Sequence, residues 1–299
     1  MAMTETNPVC KCCGGATTLF AEYDFSRSCE DHKGPVFAKS GISVSYYRCT
    51  SCGFIFTSHF DNWSGNDFAE RIYNSDYIRV DPEFDSTRPR YMAGELEKML
   101  GPFKAGISLL DYGGGRGKMI EELGGRGFGK LDCFDPYFSS GAKPSAKFDL
   151  VTAFEVVEHS PNPMASFEDA LSYVAPRGAL LFSTFILGRR PDPQFWYIAP
   201  RNGHISIHSW ESLQRLASRL KVKCLSLDDN MHLFFRDPES DLVRHIAAKD
   251  PGAILYAASR RGLGAFAQTA GLFAELGRPL GSQYLRHWGR AMLCSSGVL

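Results

Sequence analysis

The chain has 299 residues, 44% apolar and 22% charged, the composition of an ordinary globular protein long enough for one large core or two modest ones. Lys plus Arg and Asp plus Glu are both 33, a balance that disfavours a polyanionic partner such as nucleic acid. No leading segment has the charged, apolar and small-residue order of a secretion signal, and no apolar run approaches eighteen residues, so a cytoplasmic location is expected and the nine cysteines need a reason other than disulfides.

Residues 1–60 are rich in Cys, Gly, Ser and aromatics, with strand-like pieces at 42–48 and 54–57. Cys10-Lys11-Cys12-Cys13 and Cys49-Thr50-Ser51-Cys52 each contain a C-x-x-C, and each is followed by glycine. Four thiolates can close around a d¹⁰ cation with no open position, so Cys10, Cys13, Cys49 and Cys52 read as a structural zinc site in a small N-terminal module. The 35-residue gap between the knuckles is longer than in a minimal zinc ribbon. Cys12 could replace Cys10, and Cys29 or His32 could replace a knuckle ligand. A buried free-thiol cluster and a nucleic-acid-binding ribbon are the alternatives.

Residues 61–95 read as a mostly helical lead-in. From 96 to about 236 short apolar strands alternate with amphipathic helices, which predicts an α/β domain with a Rossmann-like, mostly parallel sheet and flanking helices. Strands are expected at 108–111, 130–134, 150–153, 178–184, 222–228 and 232–236, and helices at 118–123, 164–173 and 210–220, the last with Ser209 as N-cap. Residues 237–299 read as a helical C-terminal extension, in which 264–276 is apolar, too short to cross a membrane, and suited to docking on the core.

The strongest local signal is Asp111-Tyr112-Gly113-Gly114-Gly115-Arg116-Gly117, a D-x-G-x-G-x-G that follows an apolar strand and opens a helix. Such a turn brings backbone close to a ligand. A second acid, Asp135, ends the next strand 24 positions on, where a ribose hydroxyl pair is commonly gripped. Then come Phe148-Asp149-Leu150-Val151 and Glu155-Val156-Val157-Glu158-His159, and, after a helix, Pro176-Arg177-Gly178-Ala179-Leu180-Leu181-Phe182-Ser183.

In these pieces, over about 96–235, the chain resembles the class I S-adenosylmethionine-dependent methyltransferases. The resemblance implies that Gly113, Gly115 and Gly117 let the loop pack against the methionine part of the cofactor. Asp111 would orient the loop or reach the cofactor's amino group, Asp135 would bind the ribose, and Phe154 and Glu155 would lie beside the sulfonium or adenosine. Tyr73, Tyr77, Arg88, Arg90 and Tyr91 would belong to a lid over the cofactor, with Tyr77 touching it. The arginine pair could hold a phosphate or carboxylate, or be a solvated face. Only 13 residues separate Asp135 from Asp149, too few for a full helix and third strand, so adenine recognition would rest on backbone groups and side chains near Tyr137 or Phe138.

Methyl transfer from a sulfonium needs an aligned nucleophile and, for a hydroxyl or carbon acid, a base. Relatives with this layout carry a histidine followed by an aromatic-Ser-x-x-Ser-Leu segment, which His204 and Ser209-Trp210-Glu211-Ser212-Leu213 match. His204 is therefore the candidate base, with His208, His159 and Glu158 as further catalytic candidates. Sugar C-methyltransferases with a zinc module carry a Glu before that histidine, where this chain has Gly203, and they have a large additional C-terminal domain. The expected function is methylation of a small molecule, a sugar derivative or secondary metabolite, at oxygen. The alternatives are a sugar C-methyltransferase, an RNA or protein methyltransferase docking through its zinc module, and a cofactor-binding scaffold without catalysis.

Overall fold

A computed structural model of the chain describes residues 7–136, 143–188 and 191–249. Tyr137, Phe138, the segment 264–276 and most of the expected C-terminal extension lie outside the described residues.

The N-terminal strands β1 (Thr17–Asp24), β2 (Ser43–Cys49) and β3 (Ile55–Phe56) form antiparallel pairs in that order. The pieces expected at 42–48 and 54–57 are β2 and β3. Strand β1 was not anticipated, because a register shift between Leu19 and Ala21 breaks its alternation and much of it faces solvent. The lead-in is helical as expected: α1 (Gly65–Arg71), α2 (Tyr77–Val80) and α3 (Thr87–Leu100). A Ser64–Asp67 capping box starts α1.

Next come β4 (Ser108–Tyr112), α4 (Lys118–Gly125), β5 (Lys130–Phe134), β6 (Phe148–Phe154), α5 (Pro163–Ser172) and β7 (Val174–Ser183). They are followed by β8 (Ser206–Ile207), α6 (Trp210–Arg219), β9 (Lys223–Ser226), β10 (Met231–Phe235) and α7 (Asp241–Lys249). The main sheet runs β5-β4-β6-β7-β10-β9. Its first four strands are parallel, and β10 is antiparallel to both neighbours.

Adjacent apolar residues in these strands point to opposite faces, which makes the sheet the middle of three layers. Leu109, Leu150, Leu181, Leu233 and Phe235 pack against the buried faces of α3, α4 and α7. Leu110, Val151, Leu180, Phe182 and Phe234 pack against those of α5 and α6. Among the described residues no strand lies between β5 and β6, as the short Asp135–Asp149 interval implies, so β5 is a sheet edge. No helix among the described residues is long and apolar enough to cross a membrane.

The cysteine-rich segment is sewn onto this domain. Strand β8 pairs with β3 through Ile55–Ile207 and Phe56–Ser206, so a segment after β7 completes the N-terminal sheet. Cys10, Cys12, Cys49 and Cys52 share a core with α5 and α6, and Arg219 Nη1 donates to the Cys12 carbonyl at 2.6 Å. Ser209 does two jobs here. Its hydroxyl accepts from Ser212 N at 3.0 Å, capping α6, and donates to the Cys52 carbonyl. Ser209→Ala is expected to lose both and to lower unfolding stability by about 1–2 kcal/mol, read by urea denaturation; an unchanged midpoint would refute the double role.

Candidate active site

In a parallel sheet, ligands bind beyond the carboxyl ends of the strands where the connections diverge. Here β5 and β6 flank β4 on opposite sides, and a cavity of about 540 Å³ opens beyond their carboxyl ends. That volume suits a drug-sized ligand. The glycine loop forms one wall. Gly113, Gly115 and Gly117 all have positive φ, between 56° and 75°. The tightest position is one the sequence pattern did not single out: a Cβ on Gly114 would collide with the Asp111 carboxylate and stand 2.7 Å from Cys133 Sγ. By contrast, nothing lies within 4 Å of the Cβ position of Gly115, and its N–H donates to Asp135 Oδ2 at 3.0 Å.

Asp111 is buried at the end of β4, with Thr152 Oγ1 donating to its Oδ1 at 2.8 Å. Burial pushes its carboxyl up to about 7, against the Thr152 bond and with help from the Asp135 charge. Asp135 is also buried and lines the cavity with Phe154 and Glu155. Glu155 has φ 54°, a left-handed conformation that a non-glycine residue keeps only where neighbours enforce it. The enforcing partner is Ser183: Glu155 N–H donates to Ser183 Oγ at 2.8 Å, and that hydroxyl donates to Glu155 Oε1 at 3.0 Å.

The opposite wall comes from the lead-in and includes Tyr73, Tyr77, Phe84 and Arg88. Arg88 and Arg90 part company, neither presenting a shared anion site and only Arg90 lying on a solvated face. Arg88 makes a bidentate bond to Asp81 at 2.8 and 2.7 Å, whereas Arg90 pairs with Glu122 at 3.2 Å with its side chain largely exposed, and Tyr91 is 62% exposed. Of the four catalytic candidates, only His159 lines the cavity. His204 sits behind it, ring centroids 4.9 Å apart, and its Nδ1–H donates to the Tyr197 carbonyl at 2.8 Å. Glu158 is fully buried, its Oε1 accepting from Tyr197 Oη at 2.7 Å. His208 belongs to the aromatic core, 5.0 Å from Phe54 and 5.9 Å from Phe167, so the structure removes it from the cavity wall. Burial holds His204 down at about 4 and His208 at about 3, and pushes Glu158 up, with the Glu155 charge adding to the rise. Tyr197, which orients both His204 and Glu158, carried no motif that could have marked it.

The two cysteine knuckles converge. The sulfurs of Cys10, Cys13, Cys49 and Cys52 all lie within 4.8 Å of one another, with Cys10–Cys52 at 3.6 Å and Cys13–Cys49 at 3.5 Å. Thiolates about 2.3 Å from a tetrahedral zinc stand roughly 3.8 Å apart, so the set fits that ion. Ser51 N and Cys52 N both donate to Cys49 Sγ at 3.4 Å, bonds that support a thiolate. Of the alternatives, Cys29 lies elsewhere, 3.6 Å from His204 Nδ1, and His32 Nδ1–H donates to the Cys29 carbonyl.

The raised Asp111 has a consequence for stability. The native state holds this proton to about pH 7, whereas an unfolded aspartate releases it near 4. Between those values the native state binds more protons, so the Asp111 contribution falls as pH rises from about 4 to 7 and is level above. Asp111→Asn is expected to lack that fall, and so to gain on the wild type steadily from about pH 4 to 7, measured by urea denaturation of both proteins at a series of pH values without cofactor. A constant difference across that window would refute it.

Residues 84–227 match a family model described as a methyltransferase domain. Among solved structures the chain is similar to DesVI of Streptomyces venezuelae, at 12% identity, TM-score 0.39, covering 55% of this chain and 99% of that one. It is also similar to magnesium protoporphyrin IX methyltransferase of Synechocystis PCC 6803, at 15% identity, TM-score 0.36, covering 58% and 91%. A third is CalS10, an amino pentose methyltransferase of Micromonospora echinaspora, at 13% identity, TM-score 0.38, covering 55% and 98%. No curated protein matches the sequence. Residues 84–227, which carry the glycine loop and the cavity's sheet, are therefore similar to a methyltransferase domain.

Proposed function

We propose that the chain methylates a small molecule, a sugar derivative or secondary metabolite, at oxygen, working in the cytoplasm. The carrying observation is the single cavity that runs from the glycine loop, Asp111 and Asp135 to Tyr73, Tyr77 and His159. In this reading the loop around Gly113, Gly115 and Gly117 holds the methionine part of the cofactor, with Asp111 fixing the loop. Asp135 takes the ribose hydroxyls, and Phe154 and Tyr77 cover the remainder. Bound there, S-adenosylmethionine supplies an electrophilic methyl group for in-line displacement. The acceptor then occupies the end walled by Tyr73, Tyr77, Glu155 and His159, where its proton is removed at the Glu158–His159–His204 cluster. His159 is the member at the wall, and His204, the base expected from the sequence, acts from behind it.

The domain division that goes with this reading is a zinc-binding module over 1–60, a lid over 61–95, the cofactor domain over 96–236 and a C-terminal extension from 237. Cys10, Cys13, Cys49 and Cys52 would hold a structural Zn²⁺, closed to substrate.

Incubation with methyl-labelled cofactor and a host metabolite extract is expected to label a small-molecule product; label appearing only in RNA or protein would overturn the acceptor class. Asp135→Ala is expected to weaken cofactor binding about 10–100-fold in calorimetry, the loss of hydrogen bonds to a charged group. Unchanged affinity would refute the ribose role. One tightly held zinc per chain is expected at the four cysteines, lost in Cys49→Ser together with several degrees of thermal stability. Metal analysis that finds the same zinc content in both proteins would refute the Cys₄ site.

A further inference from the structure

Glu158, His159 and His204 form a second cluster whose ligand atoms, one from each residue, lie within 4.8 Å of one another. Its hydrogen bonds leave conspicuous gaps. The Nδ1–H of His204 is committed to the Tyr197 carbonyl, so the lone pair of this imidazole is on Nε2. A ring held by a backbone carbonyl through one nitrogen is how proteins orient an imidazole that ligates metal through the other. The carboxylate of Glu158 is held on one side only: Tyr197 Oη bonds Oε1, while Oε2 is fully buried without a partner. His159 Nδ1 is likewise buried, with only the Gly203 backbone beside it, and His159 Nε2 stands 3.9 Å from Glu158 Oε1.

A buried carboxylate oxygen with no partner is costly, and proteins keep one only where something satisfies it. The charge of Glu155 and a hydrogen bond between the two acidic side chains both favour a proton on Glu158 when no cation is bound. Arg88, whose charge acts on both histidines, is bound twice by Asp81. Two imidazoles and a carboxylate converging on one point, with a cavity on the open side, form a donor set for a first-row divalent ion that keeps free positions. Ligands about 2.1 Å from such an ion stand roughly 3–3.5 Å apart, so the three donors need draw in by only about an ångström.

We propose that Glu158, His159 and His204 bind one divalent transition-metal ion at the acceptor end of the cavity, separate from the cysteine cluster, with its open positions taken by an acceptor oxygen. This deepens the acceptor reading given above and rests on it for the identity of the incoming oxygen. With the ion present the histidines are ligands, and the acceptor hydroxyl is oriented and acidified by the metal.

The test uses full-length, zinc-loaded protein titrated with Co²⁺ in the absence of cofactor and acceptor. One Co²⁺ per chain is expected, with the weak visible bands of nitrogen and oxygen ligation and without strong sulfur-to-metal absorption. The proton spectrum should show two sets of strongly shifted imidazole resonances. Glu158→Gln, which keeps the Tyr197 bond, and His159→Ala are each expected to weaken Co²⁺ binding at least about 10-fold while cofactor affinity, read by calorimetry, is unchanged. Absence of saturable binding, or of shifted imidazole resonances in the wild type, would overturn the proposal without recourse to any variant. Because binding is read without methyl transfer, failure of the metal site and failure of the small-molecule reading give different results.

Discussion

Four carboxyl groups, Asp111, Asp135, Glu155 and Glu158, are gathered at the carboxyl edge of one sheet, three of them buried, and the surrounding structure is organised around keeping them there. Each is held by a different device. Thr152 serves Asp111, the Gly115 amide serves Asp135, Ser183 serves Glu155 and Tyr197 serves Glu158. A methyl donor that carries a sulfonium and an ammonium is the kind of ligand such an edge attracts, since opposite charges interact strongly where water is excluded. The acids divide along the cavity: Asp111 and Asp135 meet the glycine loop, and Glu155 and Glu158 meet the histidines.

The N-terminal segment is part of this arrangement. Tyr46 on β2 donates to the His204 carbonyl at 2.8 Å, and Cys29 N donates to Asn202 Oδ1 at 2.9 Å. From the other side, Asn202 Nδ2 donates to the Val80 carbonyl and Arg201 to the Ile72 carbonyl, both at 2.9 Å. The turn at Pro200–Asn202 is thus a junction between the cysteine-bearing sheet, the lead-in helices and the histidine cluster. An ion at the four cysteines would therefore stiffen the wall that faces the acceptor, although no cysteine of that set touches the cavity.

The main domain was legible because its signals are local and periodic. Adjacent apolar pairs such as Leu109–Leu110 and Phe234–Phe235 mark strands buried on both faces, and caps such as Ser209 mark helix starts. Strand β8, two residues long, was not legible, since nothing in Ser206–Ile207 says that it completes a sheet begun at Thr17. The candidate site divides in the same way. The glycine loop and Asp135 are tied to strand ends and could be read. The choice among His159, His204 and His208 depends on which rings face a cavity, and three histidines within fifty residues carry no such information. The partnership of Arg88 with Asp81 is similarly invisible, because it depends on the turn between α2 and α3.

The short link between β5 and β6 also explains the sheet's outer edge. A further strand would have covered β5; in its place β5 carries exposed Lys130 and Asp132, charges that discourage pairing with another chain. Beside it, Tyr112, Phe134 and Tyr173 form an aromatic group, with Lys143 over the Phe134 ring. Asp169 ties this group together, accepting from Tyr112 Oη and Lys143 Nζ, each at 2.9 Å. Burial and the Asp169 bond both push the Tyr112 phenol up, so it stays a donor over the whole physiological range. A network of this kind packs beside β5, where the described residues add no further strand. It leaves Asp135 at the tip of an edge strand, as the acid nearest the start of the β5–β6 connection.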